Sequence, residues 1–275
     1  METIRAAAVG CALSREHRMK LSDYQNRSKF IDLSRDKGIL LVRLHSKNQS
    51  MVWSTRTHDE LGEVFSCIAN DPENRVVIMT GTGESFIGAR FEPKDPGLLK
   101  ERGRMDAYKW EHVYTSGLRL IRSLLDINVP VIAAVNGPAL VHAELAVMCD
   151  IVIASTTAEF QDGHFDRGIV PGDGCHVIWP MLLGPNRGRH FLLMAQKLSA
   201  EEALRLGVVT EVHAPERLMP RAMELAASIA ARPELVTRYT RALFAQPFKR
   251  ALADDLVLGL SLEGLAQSDR FSPAS

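Results

Sequence analysis

Four short apolar runs punctuate the first 155 residues of the chain: Gly38-Ile-Leu-Leu-Val-Arg-Leu44, Arg75-Val-Val-Ile-Met-Thr80, Val131-Ile-Ala-Ala-Val135 and Asp150-Ile-Val-Ile-Ala154. Each is bounded by turn residues and is short for a helix, which predicts strands buried on both faces. Between them apolar positions recur with helical spacing, over roughly Thr57 to Ala69 and Met105 to Ile127. In the second segment Leu118, Ile121, Leu124 and Leu125 share one stripe. Strand alternates with helix, so the fold class is α/β. After about Leu198 the pattern turns almost wholly helical. Ser199-Ala-Glu-Glu carries a capping-box start, and further helices are predicted near 215–231, 233–246 and 249–267. The chain divides into an N-terminal extension (1–24), a core (25–198) and a helical C-terminal region (199–275).

The length of 275 residues suits one large domain, or one with a small appendage, and needs no stabilising staple. The 33 basic side chains equal the 33 acidic ones, so no net field favours nucleic acid or an anionic membrane, and a neutral small molecule is the expected partner. Cys11, Cys67, Cys149 and Cys175 show neither zinc-site nor disulfide-framework spacing, which points to a reducing cytoplasm. Ala6 to Leu13 is too short to span a bilayer, and it is flanked wrongly for a signal peptide. Met19 offers a second start, so residues 1–18 read as a disordered extension or a start-site artefact.

The stretch with most chemistry is Phe160-Gln-Asp-Gly-His-Phe-Asp-Arg-Gly-Ile-Val-Pro-Gly-Asp-Gly-Cys175, which sets His164 and Asp173 in a glycine-rich loop. A carboxylate bonded to one imidazole nitrogen fixes the tautomer and leaves the other nitrogen to take a proton from water. Nine residues apart, the two cannot share a helix face, so the chain must fold back, and Pro171-Gly172 is the place for it. By spacing alone a loop histidine and a turn-capping aspartate remain the alternative. His142 follows a predicted strand and is expected at a helix start, where the dipole would depress its pKa and favour an enolate or alkoxide beside it. A histidine merely packed there is the other reading. His58 sits where a loop becomes a helix, with Thr57 as candidate cap and Trp53 upstream as pocket wall or core. Glu263, among leucines of the last helix, reads by default as solvated. His142, Glu144, His164 and Asp173 are all metal-ligand types, but no HExxH or His-x-His pattern joins them, and no metal is expected. Gly81-Thr-Gly83 matches no nucleotide loop, and no Gly-x-Ser-x-Gly is present.

Val76-Val-Ile-Met-Thr-Gly-Thr-Gly83, Val129-Pro-Val-Ile-Ala-Ala-Val-Asn-Gly137, Glu144-Leu-Ala-Val-Met-Cys-Asp150 and Gly168-Ile-Val-Pro-Gly172 together resemble the crotonase, or enoyl-CoA hydratase/isomerase, superfamily over roughly residues 25 to 265. The resemblance implies a spiral of ββα units over 25–198, a C-terminal helical trimerisation region, and a homotrimer or dimer of trimers. CoA-thioester members carry a Gly-Gly-Gly run where this chain has Val141-His142-Ala143. Their Pro-Gly-Ala-Gly-Gly is here Pro171-Gly172-Asp173-Gly174-Cys175. Both departures look like the 6-oxocamphor hydrolase-like branch, the β-diketone hydrolases. Trp53, His58, His142, His164, Asp173 and Glu263 fall on matching positions of that branch.

That branch implies retro-Claisen cleavage of a cyclic or bicyclic 1,3-diketone to a keto acid, without CoA, cofactor or metal. His164, oriented by Asp173, would activate water, and His142 would stabilise and protonate the departing enolate. His58 and Glu263 complete the implied catalytic set, with Trp53, Phe86 and Glu144 against the substrate. The Phe86-Ile-Gly-Ala-Arg-Phe91 loop is one residue shorter than its counterpart, with Arg90 where an acidic residue is common and Glu92-Pro-Lys-Asp95 in place of an apolar segment. This predicts a different pocket wall. Two alternatives stay open: a CoA-thioester hydratase or isomerase using Glu144 as its acid or base, and a non-catalytic oligomeric binding protein.

Overall fold

The computed structural model describes residues 19–88 and 107–268. A four-residue helix, α1 (Leu21–Tyr24), leads into the antiparallel pair β1 (Ile31–Asp36) and β2 (Ile39–Leu44). There follow α2 (Thr55–Asn70), β3 (Val76–Gly81), α3 (Ala107–Asp126), β4 (Val131–Val135), α4 (Glu144–Val147), β5 (Ile151–Ser155) and β6 (Glu159–Phe160). A 3₁₀ turn (Phe165–Arg167) then precedes α5 (Cys175–Leu183), α6 (Pro185–Leu193), β7 (Leu198–Ser199), α7 (Ala200–Arg205), β8 (Glu211–His213), α8 (Pro215–Ala230) and α9 (Glu234–Gln267). The six-stranded sheet runs β1-β2-β3-β4-β5-β8, parallel from β2 onward, and β6 pairs with β7 apart from it. This is the expected α/β class.

The sheet's alternation sorts its side chains into two layers. Leu40, Val42, Val77, Met79, Ala133 and Val135 enter the main core. Ile39, Val76, Ile78, Ile132, Ala134 and Ile153 face the opposite way, onto Leu218, Ala222 and Ala226 of α8. β3 and β4 are buried along their whole length, as suits central parallel strands.

Several sequence expectations are corrected. The helices predicted at 233–246 and 249–267 are one, α9, which continues through Pro247. α2 is capped by Ser54, not Thr57: Ser54 Oγ accepts the Thr57 N–H at 3.2 Å, and Thr57 Oγ1 accepts the Ser54 N–H at 2.6 Å, a reciprocal capping box. β1 alternates buried with more exposed positions, so it shows no apolar run. The helical C-terminal stretch also contributes β8 to the sheet edge beside β5. In the region of the expected N-terminal extension, Tyr24 is buried and donates its hydroxyl to Asp71 at 2.9 Å. Residues 1–18, Arg90 and the altered 92–95 segment lie outside the described residues.

Candidate active site

The chain's turns bring the candidate residues to one buried place. Trp53 precedes α2, His58 lies in its first turn, and His142 stands between β4 and α4, of which Glu144 is the first residue. His164 immediately precedes the 3₁₀ turn, Asp173 lies before α5, and Glu263 comes from α9. All seven are buried, each at most 7% exposed. The Trp53 ring lies 4.0 Å from the His142 ring and 5.7 Å from that of His58, centroid to centroid, and His142 and His164 meet edge to face at 6.1 Å.

Two sequence readings are settled here. His164 and Asp173 do meet, with Nε2 and Oδ2 3.3 Å apart. Glu263 faces inward, against Gly172, instead of lying on a solvated face. The fold holds this pairing through a backbone crossing: a Cβ on Gly172 would run into the Gly259 carbonyl oxygen, and one on Gly259 into that of Gly172. Glycine at both positions seats the loop carrying Asp173 directly on α9.

His142 departs from its expectation. It precedes a helix of only four residues, a single turn with little aligned dipole. Its backbone is left-handed, at φ 51°, a region that a residue with a Cβ enters at a cost. Carboxylates, not a helix terminus, surround its ring: Nδ1 lies 2.6 Å from Glu144 Oε1 and 3.3 Å from Asp173 Oδ2. One Asp173 oxygen is therefore shared by two imidazoles. Phe86 is fully buried in the main core, with its N–H bonded to the Pro138 carbonyl at 3.1 Å, and the cluster's ring contacts run between Trp53, His58, His142 and His164.

Three neighbours escaped the sequence reading. Both Asp162 oxygens bond His164 Nδ1, at 3.1 and 3.2 Å, and Oδ1 also accepts the His164 backbone N–H at 3.1 Å. Ser116 of α3 donates to the Val113 carbonyl, so its oxygen accepts from His58 Nδ1 at 2.8 Å. The Cys175 thiol donates to Glu144 Oε2 at 3.4 Å. A residue two positions from a loop histidine, and a serine 58 positions from His58, carry no periodic signal.

The charges are strongly coupled. Burial alone would lower His164, but the Asp173 and Asp162 carboxylates override it and push the imidazole up to about 10. Burial opposes ionisation of Asp173 as well, yet the imidazoles of His164 and His142 hold its carboxyl well below the usual carboxylate range. Glu144 goes the other way: burial, then the charges of Asp173 and Asp162, raise it well above that range. Burial and the same carboxylates keep Cys175 a neutral thiol. Two groups of ligand-type atoms, Asp162–His164–Asp173–Cys175 and His142–Glu144–Asp173, fall within 4.8 Å and could take up a cation. Here their atoms are engaged with one another as imidazole–carboxylate pairs and a thiol–carboxyl contact.

The enoyl-CoA hydratase/isomerase family model matches residues 34–268. A solved β-diketone hydrolase from the cyanobacterium Anabaena sp. PCC 7120, bound to (S)-3-oxocyclohexyl acetic acid, is 40% identical. Its TM-score is 0.82, with 90% of this chain and 96% of that one covered. The short-chain-enoyl-CoA hydratase of Clostridium acetobutylicum is 31% identical, covering 87% of this chain and 88% of its own. The carnitinyl-CoA dehydratase of Salmonella arizonae is 34% identical, covering 78% and 82%. The chain belongs to the enoyl-CoA hydratase/isomerase, or crotonase, family.

Proposed function

We propose that the protein hydrolyses a carbon–carbon bond of cyclic or bicyclic 1,3-diketones, by retro-Claisen cleavage to a keto acid and without CoA, cofactor or metal. The observation that carries this reading is the pair of buried imidazoles, His142 and His164, sharing Asp173 Oδ2 beside Trp53. Likeness to a β-diketone hydrolase supports it. His164 takes a proton from water as the oxygen adds to one carbonyl. The tetrahedral adduct collapses, the ring carbon–carbon bond breaks, and its electron pair passes into the enolate of the second ketone. His142 stabilises that enolate and protonates its carbon. Net change is one water added. After product release His164 gives its proton to solvent and His142 takes one up, which restores both rings. Trp53, Phe86 and Glu144 bound the substrate, with His58 and Glu263 completing the polar lining.

The test is an ultraviolet assay of chelator-treated protein with monocyclic and bicyclic 1,3-diketones, with products read by mass spectrometry. Ring opening with gain of one water supports the reading, and loss of cleavage in both His142→Ala and His164→Ala assigns the roles. No turnover of any diketone, with hydration of crotonyl-CoA instead, sinks it. That second reading is favoured by the curated relatives and by the burial of Glu144. Against it, Glu144 is tied to His142 in place of an open glycine run. Self-association as a trimer or dimer of trimers is supported by apolar stripes exposed on α9, Leu235–Tyr239–Leu243 and Leu258–Leu262–Leu265. A cytoplasmic location is supported by the unpaired thiols of Cys67, Cys149 and Cys175, and no helix among the described residues is long and apolar enough to cross a membrane.

A further inference from the structure

Asp173 is the carboxylate that the family resemblance implies for orienting His164, yet its contact is an off-axis one. Its Oδ2 lies 3.3 Å from both His164 Nε2 and His142 Nδ1, and neither contact has hydrogen-bond geometry. The aligned bonds to the His164 ring come from Asp162, which chelates Nδ1 with both oxygens and grips the backbone N–H of the same residue. Asp162 is 3% exposed and follows β6, whose pairing with β7 fixes the segment, so the grip is local and rigid. The two contacts to Nδ1 hold the ring, and the third holds the backbone that carries it.

We propose that Asp162 is the positioning carboxylate of this site: it keeps the proton on His164 Nδ1, so that Nε2, on the Asp173 side of the ring, is the atom left to take the proton of the reacting water. This deepens the diketone-hydrolase reading and rests on it for the identity of the reacting water. The groups facing His164 come from every wall. Asp173 and Cys175 come from the loop and start of α5, His142 and Glu144 from the entry to α4, and Glu263 from α9. Arg167 lies on the 3₁₀ turn behind Gly163. Among the described residues none of these bonds Nδ1, which Asp162 holds. Its charge contributes to holding His164 as the imidazolium, so the neutral base forms only toward alkaline pH.

The experiment pairs histidine ¹⁵N NMR with pH–rate profiles, on the wild type and on Asp162→Asn. In the wild type the His164 signal, assigned by its loss in His164→Gln, should keep its proton on Nδ1 when Nε2 loses its own at alkaline pH. Asp162→Asn keeps the volume and an acceptor for the backbone N–H but removes the charge. The His164 titration and the acidic limb of kcat/KM should both move down by about one unit or more. The plateau kcat should fall roughly 10²-fold with KM little changed. A lower limb together with a lower plateau is a pairing that loss of folded protein does not produce. An unprotonated Nδ1 in the wild type overturns the proposal even if the variant fails to fold. A limb and a titration that both stay put overturn it too, leaving Asp162 a turn-former only. Absence of diketone turnover in the wild type would refute the hydrolase reading separately, because the NMR titration needs no substrate.

Discussion

His142 illustrates how a single side chain can be placed at the expense of backbone comfort. At φ 51° a Cβ is disfavoured, so glycine is the unstrained residue there. Stripping the ring therefore has an unusual order of consequences: His142→Gly should exceed His142→Ala in unfolding free energy by about 1 kcal/mol. Urea melts of the two variants would show it, and equal stabilities would mean the positive φ relaxes without the ring. His164 gives a second signature. Its folded value of about 10 lies above the ordinary 6.5, so the folded state binds the extra proton. The stabilisation is complete below pH 6.5 and is lost as pH rises toward about 10, whatever the other groups contribute. Thermal melts of wild type and His164→Gln should converge across that window. At this scale His142, His164 and Asp173 were legible as residue types able to carry acid–base work. Asp162 was not, because an Asp two positions before a loop histidine is ordinary turn chemistry until the ring is seen folded back onto it.

Elements were legible where burial is two-sided. β2, β3, β4 and β5 read as apolar runs for that reason, and α2 and α3 as stripes because one face of each packs on the core, in α3 from Ser116 onward. β1 escaped by having one exposed face. The continuity of α9 escaped because Pro247 lacks an N–H and ordinarily ends or kinks a helix. That continuity is what brings Glu263 to the site, and the Gly172–Gly259 crossing is what registers it there. Gly259→Ala should cost about 1–3 kcal/mol by overpacking. It should also lower kcat more than it raises KM, since Asp173 rides on the displaced loop. Urea melts and steady-state kinetics measure the two effects, and an unchanged kcat would show that the loop gives way without moving Asp173.

Across the whole molecule, α9 is also anchored at its other end. Arg241 Nε lies 2.8 Å from Asp150 Oδ2 in a buried pair, and that same oxygen accepts the Val131 N–H. Arg241→Met strands the carboxylate and should cost about 3–5 kcal/mol. Adding Asp150→Asn should recover part of the loss, which a double-mutant cycle in urea would read; additivity would mean the two do not interact. The molecule's three indoles are spread just as unevenly. Trp179 packs on Phe191, Trp110 lies against Gly264, and Trp53 lies on the His142 ring at 4.0 Å. An imidazolium in contact with an excited indole quenches its emission, whereas a neutral imidazole does so weakly. The part of the emission lost in Trp53→Phe should therefore change when the His142 ring changes its charge, which a fluorescence scan of the two proteins against pH would read.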